Sequence, residues 1–234
     1  MQGVIQCARF AFSPTSPKDA EDLYNYVVHK NDDAGAMAII KKYSVYTMLR
    51  LISGKIMISA FDPVVVESYW LGTNLLDKIG ASDLGLILKN FGYIAHESAS
   101  IDKLIFGNAQ LPSDERLTAH HSLSVLLNTM KIKEYNENVI KQINDSIIRW
   151  GIVTDVDNDQ LTITSAQLTR HDAFAIEEDK TETVRYDEAF AGPIKQGDAI
   201  AIHHGMAICA ISLIQLANLK RYTTRNISVF NRLV

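Results

Sequence analysis

The feature that most constrains this chain is a change in the period of its apolar residues near residue 147. Before it, Ile39, Ile40, Tyr43, Met48 and Leu51 fall near helical spacing. After it, "IIRWGIVTDVDNDQLTITS" alternates apolar and polar residues as strands do, and Asp157-Asn158-Asp159 breaks the run as a hairpin turn would. One side-chain period suits a helix face and the other a sheet face. The chain therefore reads as a mainly helical domain, residues 1–146, followed by a β domain, residues 147–234.

The helical half carries its own punctuation. Pro17 opens "KDAEDLYNYVVHK", and "DAGAMAIIKKYSVYTMLRLIS" continues as helix to a stop at Gly54. In "FDPVVVESYWLGTNLLDKIG", Asp62 caps, Pro63 suits the first turn and Gly80 closes one helix. Further amphipathic pieces fall at 82–91, 100–106 and 134–145. In the second half, "KTETVRYDEAF" and "DAIAIHHGMAICAI" supply more short strands, enough to close a small OB-like barrel. A final helix from about Leu213 to Arg225 covers one end of it. The fold class is α+β.

Composition excludes several functions. A formal charge of −4 argues against nucleic acid as the main partner, since phosphate neutralisation needs a basic face. The apolar runs are too short and interrupted to span a bilayer. The start, "MQGVIQCARFAFSPTSPKD", lacks the basic and apolar regions of a signal peptide. Cys7 and Cys209 are the only cysteines, which gives no disulfide framework and suits the cytoplasm. There is no Gly-rich phosphate loop, dinucleotide fingerprint or G-x-S-x-G elbow.

Two resemblances add to this. "GIVTDVDNDQLTI" and "QGDAIAIHHGMAI" are similar to the strand pattern of the small hydrogenase-maturation chaperones of the HypC/HupF type. Gly197, Asp198, His203, Gly205, Ala207 and Ile208 fall at the matching positions, over roughly a third of the chain. The resemblance implies a HypC-like barrel, a non-enzymatic role in metallocentre assembly, and His203 as the functional histidine. The cysteine those chaperones carry five positions before the first strand's glycine is here Ser146, which is no thiolate ligand. The whole chain also resembles an uncharacterised prokaryotic family with a helical domain before such a barrel, through "CARFAF", "FDPVVVESYWLGTNLLD", "HHS" at 120–122 and the histidine–glycine strand. That family carries a further histidine where this chain has Ser124.

The residues that can carry chemistry are Cys7, His120, His121 and His203, with His204 beside the last. Thiolate and imidazole suit a transition metal such as iron or zinc, and three or four donors complete a site. Arg9, two residues after Cys7, can favour its thiolate, although Cys7 also fits a buried, inert role, and Cys209 reads as core. Adjacent strand residues point to opposite faces. If Ile200 and Ile202 face the barrel core, His203 points the other way with Ala199 and Ala201.

Three functions remain open. The sequence favours a cytosolic, non-catalytic binding or assembly factor whose barrel presents His203 to a protein partner or a metal fragment. The second reading is a small metal- or thiol-dependent enzyme with its site between the two domains. The third is a structural docking module in which every named residue only packs. No pattern in the sequence indicates an oligomeric state.

Overall fold

Local signals account for most of the helices. A computed structural model describes residues 2–12, 15–90, 98–130 and 132–233. Helix α1 is Gln2–Ala11. Ser16 caps α2, Pro17–His29, by accepting from Asp19 N–H, with Pro17 in the first turn. The long helical run then splits into α3, Asp33–Ile40, and α4, Ser44–Ile56, because Lys41–Tyr43 form a turn.

Asp62 caps α5 as its sequence requires, but α5 spans only Pro63–Trp70. The helix does not run on to Gly80. It ends where Gly72 takes a φ of 87°, and Thr73 caps a short 3₁₀ turn, Asn74–Lys78. A side chain at Gly72 would lie 2.3 Å from the Tyr222 ring, so this glycine both ends the helix and admits the last helix. The helix expected over 82–91 is α6, Ala81–Asn90, and residue 91 lies outside the described residues. Then follow α7, Ser98–Gln110, α8, His121–Thr129, and α9, Glu137–Ser146.

The strands are β1, Arg149–Asp157, β2, Gln160–Arg170, and β3, Phe174–Arg185. After a short helix α10, Glu188–Ala191, come β4, Ala199–His203, and β5, Met206–Ile211. They close a barrel in the order β1-β2-β3-β5-β4, all neighbours antiparallel except β3 and β5. Asn158, with φ 47°, makes the β1–β2 turn that the polar break announced.

Val153, Leu161, Ile163, Ile200, Ile202 and Ala207 fill the barrel interior. Ala199 and Ala201 lie on the other face of β4 and join the helical core, so β4 is buried on both sides. That core is continuous across the change of period: it runs from Val4 and Leu23 through Trp70 and Leu126 to Ala201 and Ile208. Aromatic contacts bind the two parts, with Phe12 and Tyr24 both against Phe190 and the Tyr24 hydroxyl donating to Asp187.

The last helix, α11, spans Leu213–Leu233 and is longer than its sequence start suggested. Ile227, Val229 and Phe230 continue its buried face past Arg225, where no breaker residue intervenes. It packs on α7 and α8 as well as on β1, β3 and β4.

Candidate functional site

Three imidazoles meet where the helices cover the outer face of β4. His203, the last residue of β4, is 1% exposed. Its Nδ1 lies 2.9 Å from the carbonyl oxygen of Phe10 in α1, and its Nε2 lies 3.1 Å from that of Ser146 at the end of α9. A neutral imidazole has one N–H, so it donates to one of these oxygens and only approaches the other. Burial lowers its pKa to about 3, with His204 adding to the effect and the two carbonyls opposing it.

His204 and Gly205 form the two-residue turn between β4 and β5, with φ of 49° and 70°. That turn favours Asn or Gly at the position His204 holds, so a histidine is kept there against local preference. Its backbone N–H donates to Asp145 O at 2.8 Å, and its half-buried ring lies 4.3 Å from that of His203. Burial lowers its pKa as well, against a raising influence from Asp145.

His121 completes the group from the first turn of α8. Its ring meets His203 edge-on at 5.4 Å, Tyr69 edge-on at 5.7 Å, and Trp70 at 4.6 Å. Its buried Nδ1 has no hydrogen-bond partner. Burial, then the neighbouring histidines, hold its pKa well below the ordinary value. Trp70 is itself pinned against Phe10, ring centroids 5.2 Å apart and nearly parallel.

These rings line a cavity of about 300 Å³ together with Tyr43, Tyr69, Ser124, Asn128 and Ser146. Its described lining includes no Asp, Glu, Lys or Arg. With the histidines neutral, the cavity offers hydrogen-bonding groups and aromatic faces but no fixed charge. Among the lining hydroxyls, Ser124 Oγ lies 3.3 Å from Tyr69 Oη, and Ser146 Oγ donates to Gln142 O.

The chain matches one protein family along residues 1–234. It belongs to DUF6390, a family of unknown function. No curated protein and no solved structure matches it significantly. In this DUF6390 chain the geometry of the residues defines the site.

His120, although adjacent to His121 in sequence, is outside the cavity lining and has a structural task. It is the N-cap of α8, and its Nδ1 accepts from Ser122 N–H, as an Asn or Asp oxygen would. Ser122 Oγ lies 2.9 Å from the same nitrogen, an arrangement that would suit a nucleophile and its base. Here both residues are at most 1% exposed, and Asn226 Nδ2 donates to Ser122 Oγ at 3.0 Å. A substrate has no way to this pair, and burial lowers the His120 pKa to about 3.

Cys7 is fully buried in α1, and burial raises its thiol to about 12, only slightly eased by Trp70. The expected influence of Arg9 falls elsewhere: its charge acts on Cys209, which burial nonetheless raises to about 11. Cys209 is half-buried, packed against the edge of the core and lining a second cleft. A thiol held so far above neutrality is a poor nucleophile and a poor metal ligand.

Cys7, His120, His121 and His203 thus do not come together as one ligand set. Among the described residues no three His, Cys, Asp or Glu side chains are grouped to hold a metal ion. Nor is His203 presented at the surface: it is buried, with its ring against Phe10 of α1 and Ser146 of α9. Among the described residues, no helix is long and apolar enough to cross a membrane. For Tyr69 and Trp70 the sequence leaves two readings, core packing or the wall of a ligand cleft between the domains, and the structure places both on the cavity wall; Asn128, also on the wall, is not singled out by the sequence. Their signal, aromatic and amide residues on helices, is the same as that of core.

Proposed function

We propose that this protein is a non-catalytic binding protein that takes a small, uncharged polar ligand into the imidazole-lined cavity. The observation that carries this reading is the convergence of His121, His203 and His204, all held neutral, on a cavity without a charged described side chain. A charged ligand would lose its hydration there without gaining an ionic partner. A neutral one exchanges hydrogen bonds with imidazole, hydroxyl and amide groups, and stacks on Trp70.

Catalysis is the weaker reading. A histidine whose pKa lies far below neutrality is a poor general base, and no lining carboxylate is at hand to orient one. An assembly role like that of the HypC/HupF chaperones draws support from one contact: Ser146 and His203, the two positions matched to the chaperones' cysteine and histidine, lie side by side. With His203 covered, any cargo of that kind would have to enter the cavity between helices and barrel.

Native mass spectrometry of protein purified without a histidine tag, with elemental analysis of the same sample, tests both. The binding reading expects a small organic adduct in the wild type that is lost in a Ser124→Trp variant filling the cavity. A near-stoichiometric transition metal, lost in His121→Ala, would instead favour the assembly reading. Wild-type protein with neither would count against both.

A further inference from the structure

A second cleft, of about 390 Å³, lies on the other side of the α1–α5 layer. Phe10 and Leu71 line it, while their chain neighbours Ala11 and Trp70 line the imidazole cavity. The two clefts differ in chemistry. The second holds the guanidinium of Arg9, the ammonium of Lys30 and the carboxylate of Glu67.

These charges are not matched to one another. Among the described residues neither Arg9 nor Lys30 makes an ion pair, and Glu67 is met by an amide, accepting from Gln215 Nε2 at 3.0 Å. Arg9 is partly buried, and its Nε is out of contact with solvent and without a hydrogen-bond partner. Arg9 makes no hydrogen bond or ion pair among the described residues, so its terminal N–H groups, unlike the sequestered Nε, are left for an anion that enters the cleft. Elsewhere the protein pairs such groups readily, as in Arg149 with Glu182 and Arg225 with Asp77.

We propose that this cleft binds a small zwitterion of the α-amino-acid class, its carboxylate on Arg9 and its ammonium on Glu67. A planar guanidinium recognises a carboxylate through two parallel hydrogen bonds. Gln6 and Gln215 supply neutral hydrogen-bonding groups beside the two charges, and Ile5, Leu71 and Ile211 give an apolar wall for a side chain. The volume is within the range of small-ligand pockets. This site goes beyond the imidazole cavity and stands without it.

The test is isothermal titration calorimetry of the full chain with the standard amino acids, starting from L-leucine. Its two half-molecules, 4-methylpentanoate and 3-methylbutylamine, are titrated separately. Saturable heat with at least one amino acid is expected, weakened about tenfold or more in Arg9→Gln and in Glu67→Gln. Each half-molecule should bind more weakly than the zwitterion. Circular dichroism melting of both variants confirms that they are folded, and Arg9→Lys should restore binding only in part. No saturable heat with any amino acid overturns the proposal. So does binding that Glu67→Gln leaves unchanged, or 4-methylpentanoate binding as tightly as L-leucine, since either outcome makes the cleft a simple anion site.

Discussion

His203 Nε2 lies 3.1 Å from the main-chain oxygen of Ser146, so the last residue of a barrel strand is fastened to the last residue of the helix before the barrel. Through Nδ1 the same ring reaches Phe10 of the first helix, at 2.9 Å. One neutral ring thereby touches three elements far apart in sequence, hydrogen-bonded to one of the two oxygens and in contact with the other, at the wall of the cavity.

Replacing that ring should be costly even in the absence of ligand. His203→Ala removes the polar link and leaves a void, at about 2–4 kcal/mol. Urea unfolding measures it as a lower midpoint with an unchanged slope. A loss under about 0.5 kcal/mol, the range of surface changes, would show that the ring is not a fastening.

Acid should destabilise the fold well before the carboxylates titrate. His120 and His203 have pKa values of about 3 when folded, against about 6.5 in an unfolded chain. Between these values the unfolded chain binds protons that the folded chain does not, so stability falls as pH falls below about 6.5. The slope is about 1.4 kcal/mol per pH unit for each such histidine once the unfolded form is protonated. Unfolding free energies between pH 7.5 and pH 5 check this, and a flat profile would contradict the buried neutral rings.

The cap formed by His120 should be exchangeable for an ordinary one. His120→Asn keeps an acceptor for Ser122 N–H, whereas His120→Ala loses it and should be less stable than the Asn variant by about 1 kcal/mol. Thermal melts of the two variants compare them directly. Equal stability would mean that the ring acts by packing alone, against Tyr222.

Cys7 should be inert in the native protein. Its thiol is fully buried and its pKa is raised to about 12, so iodoacetamide at neutral pH should label it only after unfolding. Peptide mass mapping before and after denaturation reads this out. Rapid native labelling of Cys7 would revive the thiol-enzyme reading.

Much of the fold was legible because it depends on neighbours in sequence. Asp62-Pro63, Pro17 and the Asp157-Asn158-Asp159 break act within a few residues, and the alternation of Ile200 and Ile202 correctly places Ala201 on the opposite face. The misreadings involve distant partners. Gly72 reads as a helical glycine open to a close neighbour, and that neighbour is Tyr222, 150 residues away; what the sequence does not show is that the helix ends there. Arg9 is close to Cys7 in sequence but electrostatically coupled to Cys209, on a strand at the far end of the chain. The cavity was half legible. Its histidines stand out as a residue type, but Trp70, Tyr69 and Asn128 differ from core residues only by the space between them. Asn226, which accepts from Thr118 N–H and donates to Ser122 Oγ, holds the segment before α8 from a helix more than a hundred residues later.

The most direct test of the central claim is long-range proton–nitrogen NMR of the histidine rings at neutral pH. Dialysed protein is compared with the same protein after the small-molecule fraction released from a denatured sample is added back. The account predicts neutral rings for His121, His203 and His204 in both states, with shifts on addition concentrated at His121 and His204. Unchanged cavity rings, or shifts confined to His29 and His171, would contradict a ligand site in this cavity.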